Sequence, residues 1–194
     1  MSIASTVGTG FDKLAAHFLM HPDERLHIRA LARHLDLSLG SLRRGLTKLA
    51  ERGLVRRFEE EEHVYYEADL TNPAWGGIRI LLREIGDPST VVREALANVR
   101  GVRSAMLFGS QAKGTAGPGS DIDLLVMADP DAWRRLNRSL LTAESLLNRE
   151  IDCKRVTPER LRKSVRYRDF VRRVSAGPRE YLVGPPGVFE EITQ

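Results

Sequence analysis

The strongest constraint on this chain is the segment LFGSQAKGTAGPGSDIDLLVM, residues 107–127, which joins a Gly-Ser pair to an Asp-x-Asp pair. Residues 120–127 predict a strand that begins with two acids. Because side chains alternate along a strand, Asp121 and Asp123 are predicted to point to one face. Two carboxylates there repel each other, and a divalent cation such as Mg²⁺ would remove that cost. The alternative is a solvated strand edge that carries two acids without a function.

The first half of the segment predicts a phosphate site. Val102–Phe108 is an apolar run typical of a buried strand, and Gly109 and Ser110 end it. Glycine lets a phosphate approach the backbone, and the amides of a helix that starts at Ser110 would point positive charge at it. Lys113 adds a cation nearby, and Gly114 permits a turn.

The first third of the chain shows an unrelated pattern. Helical spacing of apolar residues, followed by two β-prone runs around a charged tip, predicts three helices and a hairpin. The predicted elements are helices at about Phe11–Leu19, Leu26–Leu35 and Leu39–Arg52 and strands at Leu54–Phe58 and His63–Glu67. Ser38 can cap the third helix and Gly53 suits its C-terminal end. Three helices followed by a hairpin is the layout of a winged helix.

The third helix would be the one that reads DNA. Its polar side chains lie away from the apolar stripe and could reach phosphates and base edges in the major groove, while two arginines beside the wing suit backbone contacts. These residues are Ser41, Arg43, Arg44, Thr47 and Lys48 on the helix, with Arg56 and Arg57 at the wing. The alternatives are solubilising charges or a protein-contact surface. The acidic run Glu59–Glu62 is expected to point away from DNA.

The segments between these patterns predict the domain organisation. Ala74–Ile85 predicts a linking helix, and Gly86-Asp87-Pro88 is the best boundary. We therefore expect a winged helix at 1–70, a linker at 71–87 and a catalytic domain at 88–194. A homodimer is expected because many winged-helix regulators dimerise near such a linker.

Composition narrows the functional class. The net charge of +4 and the pI near 9.5 favour polyanion partners. Cys153 is the only cysteine, which excludes a disulfide framework and a thiolate zinc cluster. No segment approaches the ~18 apolar residues of a membrane span, and no signal-peptide pattern opens the chain, so a cytoplasmic protein without membrane contact is expected.

The string GS-x-A-x-G-x5-SDIDLLV resembles the nucleotidyltransferase superfamily that includes DNA polymerase beta, and its small branch most of all. The resemblance covers about residues 88–184 and implies a mixed sheet flanked by helices. It also implies a nucleoside triphosphate held by the glycine turn and two Mg²⁺ ions held by carboxylates. It implies that Gly109 and Ser110 hold the triphosphate and that Asp121 and Asp123 hold the metal ions. The full set of predicted nucleotide-binding residues is Gly109, Ser110, Lys113, Gly114 and Ser120, and the predicted catalytic and metal-binding residues are Asp121, Asp123 and Asp152.

Asp152 and Lys113 match the family pattern less closely than the other positions do. The family usually adds a third carboxylate on a neighbouring strand; Asp152 is the candidate, and the alternative is a strand-end acid without function. Lys113 stands where the family often has arginine, so the positive charge is kept but the bidentate fork is lost.

Residues 154–179 hold ten basic side chains and two acids. The basic side chains could face the triphosphate, face an acidic acceptor or form solvated helix faces.

Residues 10–70 resemble the arsenical-repressor-like winged helices, without the cysteine or histidine clusters of the metal sensors. The expected whole is therefore a two-domain α+β protein that binds double-stranded DNA. Its nucleotidyltransferase domain would use Mg²⁺ to transfer a nucleotide, AMP from ATP, to a protein or a small molecule. The protein acceptor would be toxin-like, as for related antitoxins. The alternatives are a transcription factor that senses a nucleotide without turnover and an interaction module in which neither site works.

Overall fold

A computed structural model describes residues 9–61, 63–117 and 119–193. The chain divides into two compact units between Val91 and Val92. In the described part of the chain, no helix combines the length and the apolar character needed to cross a membrane.

The N-terminal unit consists of helices around a small antiparallel sheet with the strand order β1-β3-β2. Its elements are α1 (Thr9–Met20), β1 (Leu26–His27), α2 (Ile28–Leu35), α3 (Leu39–Glu51), β2 (Val55–Glu60), β3 (His63–Ala68) and α4 (Ala74–Ile85). The apolar face of α3 forms part of the core, where Leu42 and Leu46 are fully buried. Trp75 on α4 is also buried, and its indole N–H donates to the carbonyl of Leu54 at 3.1 Å.

The three predicted helices and the hairpin of this unit are present, with differences at the second helix and at the hairpin, where β2 continues to Glu60 instead of ending at Phe58. Leu26 and His27 form a strand instead of a first helical turn, and they pair with Tyr66 and Tyr65. His27 is extended, with a ψ of 142°, and its Nδ1 accepts the N–H of Arg29 at 3.2 Å. It therefore acts as the cap of α2, which begins at Ile28 because the cap residue cannot itself be helical.

The C-terminal unit is a four-stranded mixed sheet flanked by helices, as the resemblance implied. Its elements are α5 (Pro88–Ala97, which contains the boundary between the units), β4 (Val102–Leu107), α6 (Gly109–Lys113), β5 (Ile122–Ala128), α7 (Trp133–Leu147), β6 (Ile151–Val156), α8 (Pro158–Lys163), α9 (Val165–Ala176), β7 (Glu180–Val183) and α10 (Val188–Thr193). The strand order is β6-β5-β4-β7, in which β5 and β6 are parallel and the other pairs antiparallel.

Helices α8 to α10 cover one face of this sheet. Met106, Leu125 and Met127 of β4 and β5 pack there against Leu161, Val171 and Phe189, and all six side chains are buried. Burial of such side chains contributes about 1.5–3 kcal/mol each, so this cluster fixes the central strands that carry the candidate site. On α7, the Ser139 hydroxyl donates to the carbonyl of Ala95 on α5 at 2.6 Å.

Strand β5 begins two residues later than the sequence predicted. The Ser120 N–H donates to the carbonyl of Gly117 at 3.1 Å, and the Ser120 hydroxyl accepts the N–H of Gly117 at 2.9 Å. Ser120 thus closes a turn and does not join the ladder. The first bond toward β6 is made by Ile122, whose N–H donates to the carbonyl of Glu150 at 2.9 Å. Asp121 therefore lies just before the strand.

Candidate active site

Three carboxylates lie near one another at the start of β5 and β6, and we call them the carboxylate cluster. Asp123 and Asp152 are aligned partners in the parallel pairing of these strands, whose backbones lie ~4.8 Å apart. Asp121 stands in the turn before β5. The pKa of Asp123 is raised above its ordinary value, first because burial disfavours its charge and then because the charges of Asp152 and Asp121 repel it. The fold thus concentrates negative charge at this edge.

Two lysines partly offset this repulsion. Lys154, two residues along β6, forms an ion pair with Asp152, with 2.7 Å between Nζ and Oδ2. That hydrogen bond is the main reason why the pKa of Lys154 is raised. The charges of Lys154 and of the exposed Lys113 act to lower the pKa of Asp123, but burial and the neighbouring acids outweigh them.

Gly109 permits the close approach of Asp123 to the glycine turn. The φ of Gly109 is +69°, a left-handed conformation that favours glycine. A Cβ atom added there would overlap Oδ2 of Asp123 and lie 2.8 Å from its Cγ. The Phe108 N–H also donates to the Asp123 carbonyl at 3.1 Å. The sequence predicted that this glycine makes room for a phosphate; in the structure its first neighbour is a carboxylate.

The other predicted nucleotide-binding residues belong to α6 and the loop after it. Ser110 is half-buried in the first turn of α6, and its carbonyl accepts the N–H of Thr115 at 3.1 Å. Gly114 ends the helix with a φ of +70°. Ser120 is half-buried, and its hydroxyl is already engaged by the N–H of Gly117. The main chain between the glycine turn and the carboxylate cluster is therefore held by local hydrogen bonds.

Arg149 is a residue that the sequence reasoning missed. Its Nε donates to the carbonyl of Ser120 at 2.7 Å and its Nη2 donates to Oε1 of Gln111 at 3.1 Å. It therefore ties α6 to the turn that carries Asp121. Burial lowers the pKa of Arg149, against the opposing effect of the Asp121 charge. The only local signal is its place after Asn148, whose φ of +52° ends α7 just before β6.

The carboxylate cluster has the donor chemistry of a Mg²⁺ site. Carboxylate oxygens are the ligands that this ion prefers, and a divalent cation would relieve the repulsion that raises the pKa of Asp123. Asp121 and Asp123 fit this role best among the three acids. Asp152 is already paired with Lys154, which would have to move before Asp152 could join them.

The predicted DNA-contacting residues all lie on exposed surface of the N-terminal unit. Those on α3 are Ser41, Arg43, Arg44, Thr47 and Lys48, and those on β2 are Arg56 and Arg57. The two groups differ in their partners. Arg56 and Arg57 each pair with a carboxylate, at 2.8 Å from Glu67 and 3.3 Å from Glu59. Among the residues that the structure describes, Arg43 and Lys48 have no such partner.

Comparison with known proteins found similarities for the C-terminal part of the chain. Residues 89–181, just under half of the chain, match the family model described as "Nucleotidyltransferase domain", which supports a nucleotidyltransferase. Two crystal structures align with about half of the chain. One is of a mutant of the toxin–antitoxin MntA-HpeT, with 22% identity and a TM-score of 0.40 over 54% of this chain and 80% of that one. The other is of a toxin–antitoxin with AMP-PNP, with 25% identity and a TM-score of 0.37 over 55% and 80%. TM-scores below 0.5 do not establish a common fold. No curated protein matches the chain.

Proposed function

We propose that this chain is a Mg²⁺-dependent nucleotidyltransferase that transfers a nucleotide, AMP from ATP, to a hydroxyl group of a partner protein or a small molecule, and that it also binds double-stranded DNA. The observation that carries the transferase proposal is the placement of Asp123 against Gly109, with Asp152 aligned to it on β6 and Asp121 nearby, just before β5. The family match of residues 89–181 supports the same reaction class.

Each part of the site has a role in this proposal. Gly109 and Ser110, with Lys113, Gly114 and Ser120, would form the side that faces the phosphates. Asp121 and Asp123 would hold Mg²⁺. When bound, Mg²⁺ would neutralise charge on the triphosphate and on the leaving pyrophosphate, and would lower the pKa of the acceptor hydroxyl.

The reaction is an in-line substitution at phosphorus. The acceptor oxygen forms a bond to the α-phosphorus, and the bond from that phosphorus to the oxygen that bridges it to the β-phosphate breaks. The electron pair leaves with pyrophosphate, and the hydroxyl proton passes to the carboxylate of Asp152, the member of the carboxylate cluster on β6. Positioning and preorganised charge would supply most of the rate.

Label transfer tests this proposal. The protein is incubated with ATP labelled at the α-phosphate, Mg²⁺ and a cell lysate, and the labelled products are separated. Asp121→Ala with Asp123→Ala should abolish transfer, whereas Asp131→Ala, an exposed acid outside the cluster, should leave it unchanged. Transfer that survives in the double variant, or that is absent from the unaltered protein with every acceptor, would refute the catalytic assignment.

A nucleotide sensor without turnover is the second candidate, and the ion pair between Lys154 and Asp152 favours it. A third carboxylate that is occupied by a lysine is not free to bind a metal ion or to contact an acceptor. In this case ATP would bind in a manner that depends on Asp121 and Asp123, but no label would move. Binding of ATP that is lost in the Asp121→Ala/Asp123→Ala variant, together with the absence of label transfer by the unaltered protein, would support the sensor.

The DNA-binding proposal rests on the N-terminal unit. Its α1, α2 and α3 precede a hairpin, β2 and β3, that is completed by β1, and this order supports a winged helix. The buried stripe of Leu42, Leu46 and Leu49 leaves the opposite face of α3 exposed, as a helix in the major groove requires. A homodimer, which would present two such helices, is checked by light scattering.

A further inference from the structure

A cavity of about 550 Å³ lies in the C-terminal unit beside the carboxylate cluster. Its wall includes Lys154 and Val156 of β6 together with Tyr167 and Phe170 of α9. Lys154 connects this cavity to the third carboxylate, because it lines the cavity and also forms the ion pair with Asp152. We call it the guanidinium cavity, since its other lining residues include Arg155, Arg160, Arg166 and Arg173.

The basic side chains of this region divide into two groups. Outside the cavity, Lys163 pairs with Glu159 at 2.6 Å and Arg172 lies 3.9 Å from Asp169. The guanidinium of Arg168 donates to main-chain carbonyls at the end of α8. The four arginines that line the cavity have no carboxylate within ion-pair distance among the residues that the structure describes. The fold thus leaves the positive charge at the cavity without a carboxylate partner; on these two helices Arg162 and Arg168, which lie outside the cavity, are the other described basic residues without one.

Two of the four cavity arginines lie over aromatic side chains. The guanidinium of Arg160 lies over the Tyr167 ring, 4.0 Å from its centroid, and that of Arg155 lies 6.0 Å from the centroid of Trp133. Stacking of this kind orders a guanidinium while its N–H groups stay available to a ligand. Guanidinium groups bind phosphate through two parallel hydrogen bonds, so several of them around one cavity favour a ligand that carries phosphate.

We propose that the guanidinium cavity binds the acceptor substrate, and that this acceptor is a small molecule that carries both a phosphate group and a free hydroxyl. The volume is in the range of small-molecule sites, and a concave site suits such a ligand better than a flat protein surface. This inference rests on the proposed transferase function. The phosphate binds the arginines, and the hydroxyl reaches the carboxylate cluster, where it accepts the nucleotidyl group and loses its proton to Asp152.

Anion binding is tested first, without any reaction. Tripolyphosphate is titrated into the full-length protein in the absence of Mg²⁺, and the heat of binding is measured. Arg166→Gln with Arg173→Gln should weaken binding at least about tenfold, which corresponds to ~1.4 kcal/mol. The control, Lys163→Gln on α8 with Arg172→Gln on α9, makes the same charge change outside the cavity and should weaken binding less than about twofold. Equal losses in the two double variants would overturn the proposal.

The acceptor role is tested with a matched pair of compounds. Ribose 5-phosphate should accept label from ATP at least about tenfold faster than ribose, and the Arg166→Gln/Arg173→Gln variant should lose this preference. If ribose serves equally well, or if ATP and Mg²⁺ displace tripolyphosphate from the cavity, the cavity does not hold a phosphorylated acceptor. An oligo-aspartate peptide that binds through the same arginines more tightly than tripolyphosphate would also overturn the proposal, in favour of an acidic protein acceptor.

The failure of this inference is distinguishable from the failure of the proposed function. Asp121→Asn with Asp123→Asn should abolish Mg²⁺-dependent binding of ATP but leave the Mg²⁺-free binding of tripolyphosphate unchanged. If the unaltered protein transfers label to no acceptor, the transferase proposal fails even where the cavity binds anions. If label moves to acceptors without dependence on the cavity arginines, the transferase proposal stands and the acceptor inference fails.

Discussion

Each of the two units concentrates charge of one sign, but the electrostatic repulsion is much weaker in one unit than in the other. On α3 the basic side chains are exposed and spaced along a helix face, so water screens their repulsion. In the carboxylate cluster, strand pairing aligns Asp123 with Asp152, and burial together with two neighbouring acids raises the pKa of Asp123. Buried charges that repel one another indicate a ligand that neutralises them. Exposed charges that water screens are compatible with simple solvation.

Two glycines with the same backbone conformation offer the sharpest test of the carboxylate cluster. Gly109 and Gly114 have φ values of +69° and +70°, so alanine at either position should cost about 1–2 kcal/mol of folding free energy. Only at Gly109 would the new Cβ displace the Asp123 carboxylate, because nothing lies within 4 Å of the corresponding point at Gly114. We expect Gly109→Ala to lower label transfer about 100-fold and Gly114→Ala less than about fivefold.

Urea unfolding of both variants provides the control for that experiment. Similar losses of stability with very different losses of transfer would attribute the effect to the close approach of Asp123. Equal losses of transfer in the two variants would mean that the position of Asp123 against the turn does not matter.

The role of the exposed basic side chains on α3 is tested by DNA binding. Arg43→Ala with Arg44→Ala should weaken a gel shift on the protein's own upstream DNA about tenfold or more, and should reduce the salt dependence of binding. Arg56→Ala with Arg57→Ala should have a smaller effect, about fivefold or less, because Glu67 and Glu59 already pair with these arginines.

Arg79→Ala with Arg83→Ala on α4 is the matched charge control for the DNA experiment, since both arginines are exposed. A gel shift that the α3 variant leaves unchanged would refute its assignment as the reading helix and leave these charges as a solvated face.

Arg149 links the glycine turn to the carboxylate cluster, and its replacement should have an intermediate effect. Lysine keeps the charge but cannot donate to both Ser120 and Gln111 through a planar fork. Arg149→Lys should lower kcat several-fold and raise the Mg²⁺ concentration needed for half-maximal transfer, because the turn that carries Asp121 loses its anchor. Arg138→Lys, an exposed position on α7, is the control. An unchanged Mg²⁺ dependence would limit Arg149 to a structural role.

The smallest expected effects concern helix caps, one in each unit. The Ser38 hydroxyl accepts the N–H of Ser41 at the start of α3, and the Thr157 hydroxyl accepts the N–H of Arg160 at the start of α8. Replacement of either by alanine should cost about 1 kcal/mol in urea unfolding. Ser38→Ala should also weaken DNA binding slightly and spare nucleotide transfer. If instead Ser38→Ala lowers transfer as much as Thr157→Ala does, the two functions are not separable between the units.

Local patterns in the sequence determined the helices and strands of this protein and the class of its C-terminal domain. Apolar periodicity gave the linking helix with the bounds that the structure has, Ala74–Ile85, and the Gly-Ser and Asp-x-Asp motifs indicated the class of domain that the family match supports. These features depend on residues within a few positions of one another, where helical spacing, strand alternation and turn preferences act directly. Boundaries were less certain: the sequence alone did not show that Leu26 and His27 join a sheet or that Ser120 closes a turn.

Only the tertiary structure decided which distant residues share a site. The parallel pairing of β5 and β6 aligns Asp152 with Asp123, and the same pairing brings Lys154 onto Asp152. Arg149 follows the end of α7 and donates a hydrogen bond to the carbonyl of Ser120, the residue before Asp121. The packing of α8 and α9 separates the basic side chains that line a cavity from those that pair with acids. Such contacts join segments far apart along the chain, and their geometry depends on how buried faces pack, which no local pattern in the sequence specifies.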